Sequence, residues 1–183
     1  MNLKKYGIDK NHFLEKDFIN KRCYLLPFAI VNSNCEEIDL YNTNCPGQAS
    51  IYKPNDYLLD QKMYQYNLIK VPSFTLFDLL SIIDYEKIDY IEFIKVDIQG
   101  ADLDCIRSGK NLLCDKVVYI CMEDEVKYSS GNNNSLFEMD KYMNSINFKK
   151  INLKTTNYPT YLNDRYKHLY PPEDYNITCI QYN

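Results

Sequence analysis

The chain contains no tryptophan, only two histidines and five glycines among its 183 residues. The two histidines, His12 and His168, lie far apart in sequence, so no zinc-ligand spacing exists and no metal site is expected. No apolar run approaches the roughly 18 residues of a membrane span, and the N-terminus lacks a signal-peptide core. These absences predict a soluble protein that has no membrane contact.

The charge balance and the cysteines exclude further classes. A net charge of -4 argues against nucleic acid as the partner, because binding to phosphates relies on a surplus of Lys and Arg. The seven cysteines are an odd set without a CxxC pair, which is typical of free thiols in a reducing compartment. The expected location is therefore the cytoplasm.

The order of the apolar segments predicts an α/β fold. Residues 9–20 have a weak helical pattern, and Cys23–Asn32 form a nearly continuous apolar run, typical of a strand buried on both faces. Pro27 within that run favours an edge position or a bulge. From Thr75 onward, helix and strand patterns alternate, which predicts a mostly parallel sheet. Residues Thr155–Asp174 are expected to form a long irregular connection to a last strand, antiparallel at the sheet edge.

Local signals fix the ends of several predicted helices. Thr75 and Asp78 form a capping-box pattern, in which a hydroxyl residue is followed three residues later by an acid, and Ser135 and Glu138 repeat the pattern. Gly109 weakens the helical pattern of residues 101–113 and predicts an early end there.

The segment FIKVDIQGADLD, Phe93–Asp104, changes from a strand pattern to a helix pattern at Asp97 and Gly100. Ligands bind beyond the carboxyl ends of the strands in open parallel sheets. A glycine at this point allows a sharp turn and the close approach of a ligand. These residues alone leave two interpretations open: Asp97 either faces a ligand site or only caps the following helix.

The wider segment resembles the hallmark motif of the FkbM family of S-adenosylmethionine-dependent methyltransferases. That motif runs hydrophobic-K-hydrophobic-D-hydrophobic-E/Q-G, then Ala or another residue, Glu and a hydrophobic residue, and a helix that ends in glycine. The matching residues are Lys95, Asp97, Gln99, Gly100, Ala101, Leu103 and Gly109, with Asp102 where the family usually has Glu. The resemblance extends over about residues 23–153; Gly47 and Ser50 match upstream, and Glu123 ends a later strand.

The resemblance implies a single partial methyltransferase domain over residues 1–183. Its fold would be a Rossmann-like, mostly parallel sheet with an antiparallel C-terminal edge strand. S-adenosylmethionine would be the cofactor, and the acceptor would be a sugar or another small molecule that carries a hydroxyl group. The implied site residues are Asp97 and Glu123 for catalysis, Asn32, Asp97, Gln99 and Gly100 for the cofactor, and Asp102 and Ser50 for the acceptor.

The residues themselves also allow purely structural roles. Glu123 belongs to a charged strand end, Gln99 and Gly100 fit a plain turn, and Asp102 fits a first-turn acid on a solvated helix. These alternatives stay open at the level of sequence.

One element of this class of methyltransferase is missing. The cofactor normally lies on a glycine-rich loop after the first strand, but the five glycines here include no G-x-G. Three outcomes are open: the chain is a fragment of a longer product, a partner chain supplies the missing part, or the sheet closes into a smaller fold. The alternative functions are half of a split enzyme, a non-catalytic binding partner or homo-oligomer, and a sugar-binding module that uses the tyrosines.

Overall fold

The computed structural model of the chain describes residues 26–33, 35–45, 47–60, 65–124, 134–151 and 158–169, with the backbone alone at positions 57 and 58. The helix predicted at residues 9–20 and the strand predicted near the C-terminus lie outside these ranges. Within them, the elements follow in the order β1 (Ala29–Ile30), β2 (Glu37–Thr43), α1 (Asp56–Leu59), β3 (Tyr66–Phe74), α2 (Leu76–Ser81), β4 (Ile91–Val96), α3 (Asp102–Ser108), α4 (Lys110–Lys116), β5 (Val117–Met122), α5 (Leu136–Ser145), β6 (Phe148–Ile151) and β7 (Thr160–Asn163).

The larger sheet has four strands in the order β4-β5-β7-β6. β4 and β5 are parallel, with Ile94 opposite Ile120, whereas β7 is antiparallel to both of its neighbours. The prediction of a mostly parallel sheet is therefore wrong, since one pair in this sheet is parallel and two are antiparallel. The irregular connection expected at Thr155–Asp174 is also wrong in part, because it contains β7, which lies inside the sheet.

The smaller sheet has three strands in the order β1-β3-β2. β1 is parallel to β3, and β2 and β3 form an antiparallel pair from Glu37 opposite Pro72 to Thr43 opposite Tyr66. β1 occupies an edge among the described strands, as Pro27 predicts. Its two residues are only half-buried, so the expected burial on both faces is wrong.

The helices begin and end where local chemistry dictates. The Thr75 side chain accepts a hydrogen bond from the Asp78 N–H, and the Asp78 side chain accepts one from the Thr75 N–H, which confirms the predicted capping box. At α5 the Ser135 side chain accepts from the Glu138 N–H, which is one of the two bonds of the predicted capping box. Gly109 separates α3 from α4, which confirms the predicted early helix end.

The main core lies against the larger sheet. All six residues of β5 are buried. Val118 and Tyr119 pack with Leu162 in a separate cluster, whereas Val117, Ile120 and Met122 pack in the main core with apolar side chains from α2, α3, α4 and α5. The fully or almost fully buried members of the main core include Leu80, Leu103, Ile106, Leu113, Ile120, Met122, Met139, Met143 and Phe148. This packing fixes the point where β4 and β5 end together. In the part of the chain that the structure describes, no helix has the length and apolarity to cross a membrane.

Candidate functional site

The turn between β4 and α3 brings the hallmark residues together. Gln99 has a φ of 55° and Gly100 has a φ of 92°, both in the left-handed region that is unfavourable for most residues and easy for glycine. The helix that follows has Ala101 as its N-cap, without a side-chain capping bond. The interpretation that Asp97 only caps this helix is therefore wrong.

Asp97 is instead held by a lysine and an amide. The Lys95 Nζ donates to Asp97 Oδ2 at 2.9 Å, and the Gln99 Nε2 donates to Asp97 Oδ1 at 3.1 Å. Burial raises the pKa of the Asp97 carboxyl, but the hydrogen bond from Lys95, with help from Glu123 and Gln99, outweighs burial and lowers the pKa below its ordinary value. Asp97 is thus an ionised carboxylate at neutral pH, and its side chain is 34% exposed.

Gln99 connects the end of β4 to the end of β5. Its Nε2 also lies 3.4 Å from the Glu123 Oε2, and Glu123 follows the last residue of β5. Because β4 and β5 are parallel, their carboxyl ends lie at the same edge of the sheet. We call Lys95, Asp97, Gln99 and Glu123 the carboxylate cluster.

Tyr158 also contacts this cluster, although no sequence pattern predicts it there. The Lys95 Nζ lies 5.0 Å from the centre of the Tyr158 ring, a cation–π distance. The charge of Glu123, followed by burial and the charge of Asp97, raises the pKa of Tyr158. The Met122 N–H donates to the Pro159 carbonyl at 3.1 Å, so pairing between β5 and β7 delivers Tyr158 to the site.

Ser50 lies under the turn and is almost fully buried. Its hydroxyl donates to the Gln99 carbonyl at 2.8 Å and accepts from the Tyr52 N–H at 3.0 Å. These contacts hold the strained backbone of Gln99 and aim its side chain at the two carboxylates. The acceptor-binding role expected of Ser50 stays a prediction.

Asp102 is fully buried, so the expectation of an acid on a solvated helix is wrong. Its Oδ1 accepts from the Glu123 N–H at 3.1 Å, and its Oδ2 makes no hydrogen bond within the described residues. Burial raises the pKa of this carboxyl, against the backbone hydrogen bonds from Glu123 and Ile98 that lower it. Because the Asp102 carboxyl has no exposed surface, its contacts are with the surrounding main chain. Its contact with the acceptor stays a prediction.

The helix start is also less open than the motif predicts. The Leu103 N–H, in the first turn of α3, donates to the Asn134 Oδ1 at 2.9 Å, so this group is not available to a ligand. Asn32 is exposed just beyond β1, where the Val31 N–H donates to the Phe74 carbonyl. It makes no hydrogen bond with the carboxylate cluster in the described structure, and its cofactor role stays a prediction.

The donor set of the site is oxygen-rich but does not form a metal centre. Among the described residues, no group of three or more His, Cys, Asp or Glu side chains is arranged to hold a metal ion. Lys95 already neutralises part of the charge on Asp97. The arrangement can accept hydrogen bonds from a hydroxyl group and can stabilise a cation beside the carboxylates.

A comparison with protein families identifies the class to which the chain belongs. The model of the family described as "Methyltransferase FkbM domain" matches residues 10–150, a range that includes the whole carboxylate cluster. The chain therefore belongs to the FkbM methyltransferase domain family, which confirms the resemblance of the hallmark segment. No curated protein and no solved structure matches the chain significantly.

Proposed function

We propose that the chain transfers a methyl group from S-adenosylmethionine to a hydroxyl oxygen of a sugar or another small molecule. The observation that carries this proposal is the carboxylate cluster, in which Gln99 joins Asp97 to Glu123 at the carboxyl ends of two parallel strands. Ligands of open α/β sheets bind beyond these strand ends. The tyrosine ring beside the cluster supports a sugar acceptor, because aromatic faces pack well on the apolar faces of sugars.

The residues present fit the reacting end of the cofactor. Its sulfonium is a cation, and the two carboxylates of the cluster provide negative charge that can stabilise it. The described residues include no glycine-rich loop for its methionine part, so we assign no residue to that part. When bound, the cofactor would supply an electrophilic methyl group.

Asp97 would orient the acceptor hydroxyl. As the new oxygen–carbon bond forms, the hydroxyl must lose its proton, and a carboxylate within hydrogen-bond reach can accept it. The lowered pKa makes Asp97 a weak base, so its larger contribution would be to align the oxygen lone pair and to stabilise positive charge that develops there.

Gln99 and Glu123 would complete the arrangement. One N–H of the Gln99 amide holds the Asp97 carboxylate, which leaves the other Asp97 oxygen for Lys95. Glu123 is the second carboxylate within reach of a ligand at the same strand ends, and it suits a second hydroxyl of a polyol acceptor.

Cofactor binding and turnover test the proposal with one matched control. Isothermal titration of the full chain with S-adenosylmethionine is expected to give a saturable signal, and Asp97→Asn is expected to lower methyl transfer by at least about 10²-fold. Asp115→Asn is the control, because Asp115 also pairs with a cation, Arg165 at 2.7 Å, but belongs to α4, at the opposite end of β5. Absence of cofactor binding, or equal activity of the two variants, would contradict the proposal.

A second candidate is a split enzyme in which another chain carries the cofactor loop. It is favoured by β4, which pairs with β5 alone among the described strands. Phe93 on β4 is 38% exposed, whereas Tyr119, opposite it on β5, is 1% exposed. A methyltransferase chain with a glycine-rich loop, mixed with this one, would restore cofactor binding, and Phe93→Lys would prevent it. Binding of the cofactor by this chain alone at full strength would exclude the candidate.

We propose that the protein acts in the cytoplasm. Among the described residues, Cys35, Cys45, Cys105, Cys114 and Cys121 are free thiols, which suits a reducing compartment. Fractionation of source cells checks this location.

A further inference from the structure

Two buried polar side chains hold the main chain of Glu123 on both sides. The Asp102 Oδ1 accepts from the Glu123 N–H at 3.1 Å, and the Asn134 Nδ2 donates to the Glu123 carbonyl at 2.7 Å. Asp102 is 0% exposed and Asn134 is 1% exposed. Both backbone groups of this single residue are therefore satisfied by side chains just after β5 ends.

Asn134 also connects Glu123 to α3. Its Oδ1 accepts from the Leu103 N–H at 2.9 Å, so one amide uses its donor on the end of β5 and its acceptor on the first turn of the helix. Backbone groups at strand and helix ends lack partners within their own elements and must find them elsewhere when buried. The Asn amide supplies a donor and an acceptor on two separate atoms without a charge, so it can bond both backbone groups at once.

The contact between the Gln99 and Glu123 side chains depends on the position of the Glu123 backbone. The Gln99 Nε2 and the Glu123 Oε2 are 3.4 Å apart, close to the outer limit for a hydrogen bond. A shift of a few tenths of an ångström in the Glu123 backbone breaks this contact. The position of the Glu123 main chain thus controls whether the Glu123 side chain stays in contact with Gln99.

We propose that Asn134 is a positioning residue of the site. Together with Asp102 it fixes the backbone of Glu123, which keeps the Glu123 carboxylate in contact with Gln99 and thereby with Asp97. Its catalytic consequence rests on the proposed methyl transfer, but the positioning itself is measurable without a reaction.

Asn163 offers a closely matched control. It is also buried, its Nδ2 donates to the carbonyls of Cys114 and Val117 at 2.8 and 2.9 Å, and its Oδ1 accepts from the Arg165 N–H at 3.0 Å. It therefore does for the start of β5 what Asn134 does for the end. Asn134→Leu and Asn163→Leu both remove such bonds at similar volume and add no charge.

Two measurements on the full chain test the positioning. Hydrogen exchange of the Glu123 amide, corrected for global stability, should accelerate at least about tenfold in Asn134→Leu and remain unchanged in Asn163→Leu. By carbon-detected NMR titration, the pKa of Asp97 should change in Asn134→Leu and stay where it is in Asn163→Leu, because Gln99 and Glu123 both act on the Asp97 carboxyl. Asp102→Asn keeps an acceptor oxygen and should retain the protection of the Glu123 amide, whereas Asp102→Leu should lose it.

The outcomes separate this proposal from the proposed function. If Asn134→Leu and Asn163→Leu give the same Glu123 exchange and the same Asp97 titration, Asn134 has no positioning role. If Asn134→Leu does not fold, Asn134→Ser, which keeps one hydroxyl for these backbone groups, should show a smaller change in the same direction, and no change would overturn the proposal. Exchange and titration that respond as expected in a chain without methyl transfer would support the positioning and contradict the reaction.

Discussion

The two sheets of the molecule differ in how deeply their strands are buried. All six residues of β5 are buried, whereas β3 is buried only at its last two residues, Ser73 and Phe74. Leu68, in the first half of β3, is 54% exposed. Since hydrophobic stabilisation scales with the apolar area removed from water, the four-stranded sheet supplies most of the stability of the fold.

The smaller sheet contributes to the site by polar contacts instead. The segment between β2 and β3 reaches the turn after β4 through Ser50, which donates to Gln99, and Tyr52, whose hydroxyl donates to Asp104. Core packing and the positioning of the site residues therefore depend on different parts of the chain. The strands that hold the fold together are not the only ones that aim the functional side chains.

The largest change in the free energy of unfolding is expected when a buried side chain of the larger sheet is shortened; an exposed side chain of the smaller sheet is the control. Ile120 in β5 is fully buried in the main core, so Ile120→Ala should lower the free energy of unfolding by about 2–5 kcal/mol. Leu68→Ala, in exposed β3, should change it by no more than about 0.5 kcal/mol. Urea denaturation followed by circular dichroism measures both. Similar losses in the two variants would contradict the larger contribution of the four-stranded sheet to stability.

The four-stranded half also contains most of the elements that sequence alone predicts. The Thr75 capping box, the apolar run of β5 and the early helix end at Gly109 are local signals, and the structure confirms each of them. β7 has no such signal, because Thr160–Asn163 lie among tyrosines and prolines and become a buried strand only by pairing with β5 and β6. Non-local pairing leaves no periodicity in a segment of four residues.

The same division applies to the site. The hallmark motif predicts Asp97 and Gln99 as site residues, and the resemblance of a later strand predicts Glu123; the structure brings the three into one cluster. Neither predicts Tyr158 or Asn134, because they reach the cluster only through tertiary contacts. The motif also places Asp102 beside a ligand, whereas the fold buries it; no local pattern distinguishes a buried first-turn acid from a solvated one.

A second prediction concerns the contact between α2 and α3. Ser108 in α3 is buried, and its hydroxyl accepts from the Leu76 N–H of α2 at 2.8 Å and donates to the Cys105 carbonyl at 2.6 Å. Ser108→Ala leaves the buried Leu76 N–H without a partner and should cost about 1–3 kcal/mol in urea denaturation. Ser81→Ala, which removes an exposed bond to the Phe77 carbonyl, is the control and should cost less than about 0.5 kcal/mol. Equal losses would show that this hydrogen bond does not stabilise the contact between α2 and α3.

A third prediction concerns the tie between the smaller sheet's loop and α3. Burial, followed by the hydrogen bond to Asp104, raises the pKa of Tyr52 to about 12 from an ordinary value of 10.0. The folded state therefore holds this proton more tightly than the unfolded chain. The stabilisation is complete below pH 10 and disappears as the pH rises through 12.

Tyr52→Phe tests this tie against a tyrosine of the hairpin. The variant should lose about 1 kcal/mol at pH 7, less than a buried bond to a charged group contributes, because Tyr52 is partly exposed. Tyr41→Phe, in β2, is the control and should lose less. Unfolding curves at pH 7 and pH 11 compare the two, and a Tyr52→Phe deficit that grows with pH would contradict the sign of the linkage.

The smallest effect is expected where each sheet carries a similar surface ion pair. Lys95 and Asp97 are 2.9 Å apart in the larger sheet, and Lys70 and Asp39 are 3.0 Å apart in the smaller one. All four side chains are about a third exposed or more, so Lys95→Met and Lys70→Met should each cost only about 0–1 kcal/mol. Stability alone will not distinguish them.

Titration will distinguish them, because only Lys95 acts on a group of the carboxylate cluster. Its hydrogen bond is the largest favourable contribution to the lowered pKa of Asp97, and the same bond raises the pKa of Lys95. The contribution of the pair is therefore present between the ordinary pKa values of 3.8 and 10.5; it is lost when acid protonates Asp97 or when alkali deprotonates Lys95. Lys95→Met should raise the Asp97 pKa in a carbon-detected NMR titration, and Lys70→Met should leave it where it is. If both variants leave the Asp97 titration unchanged, Lys95 does not control the carboxylate, and the ion pairs of the two sheets are equivalent surface contacts.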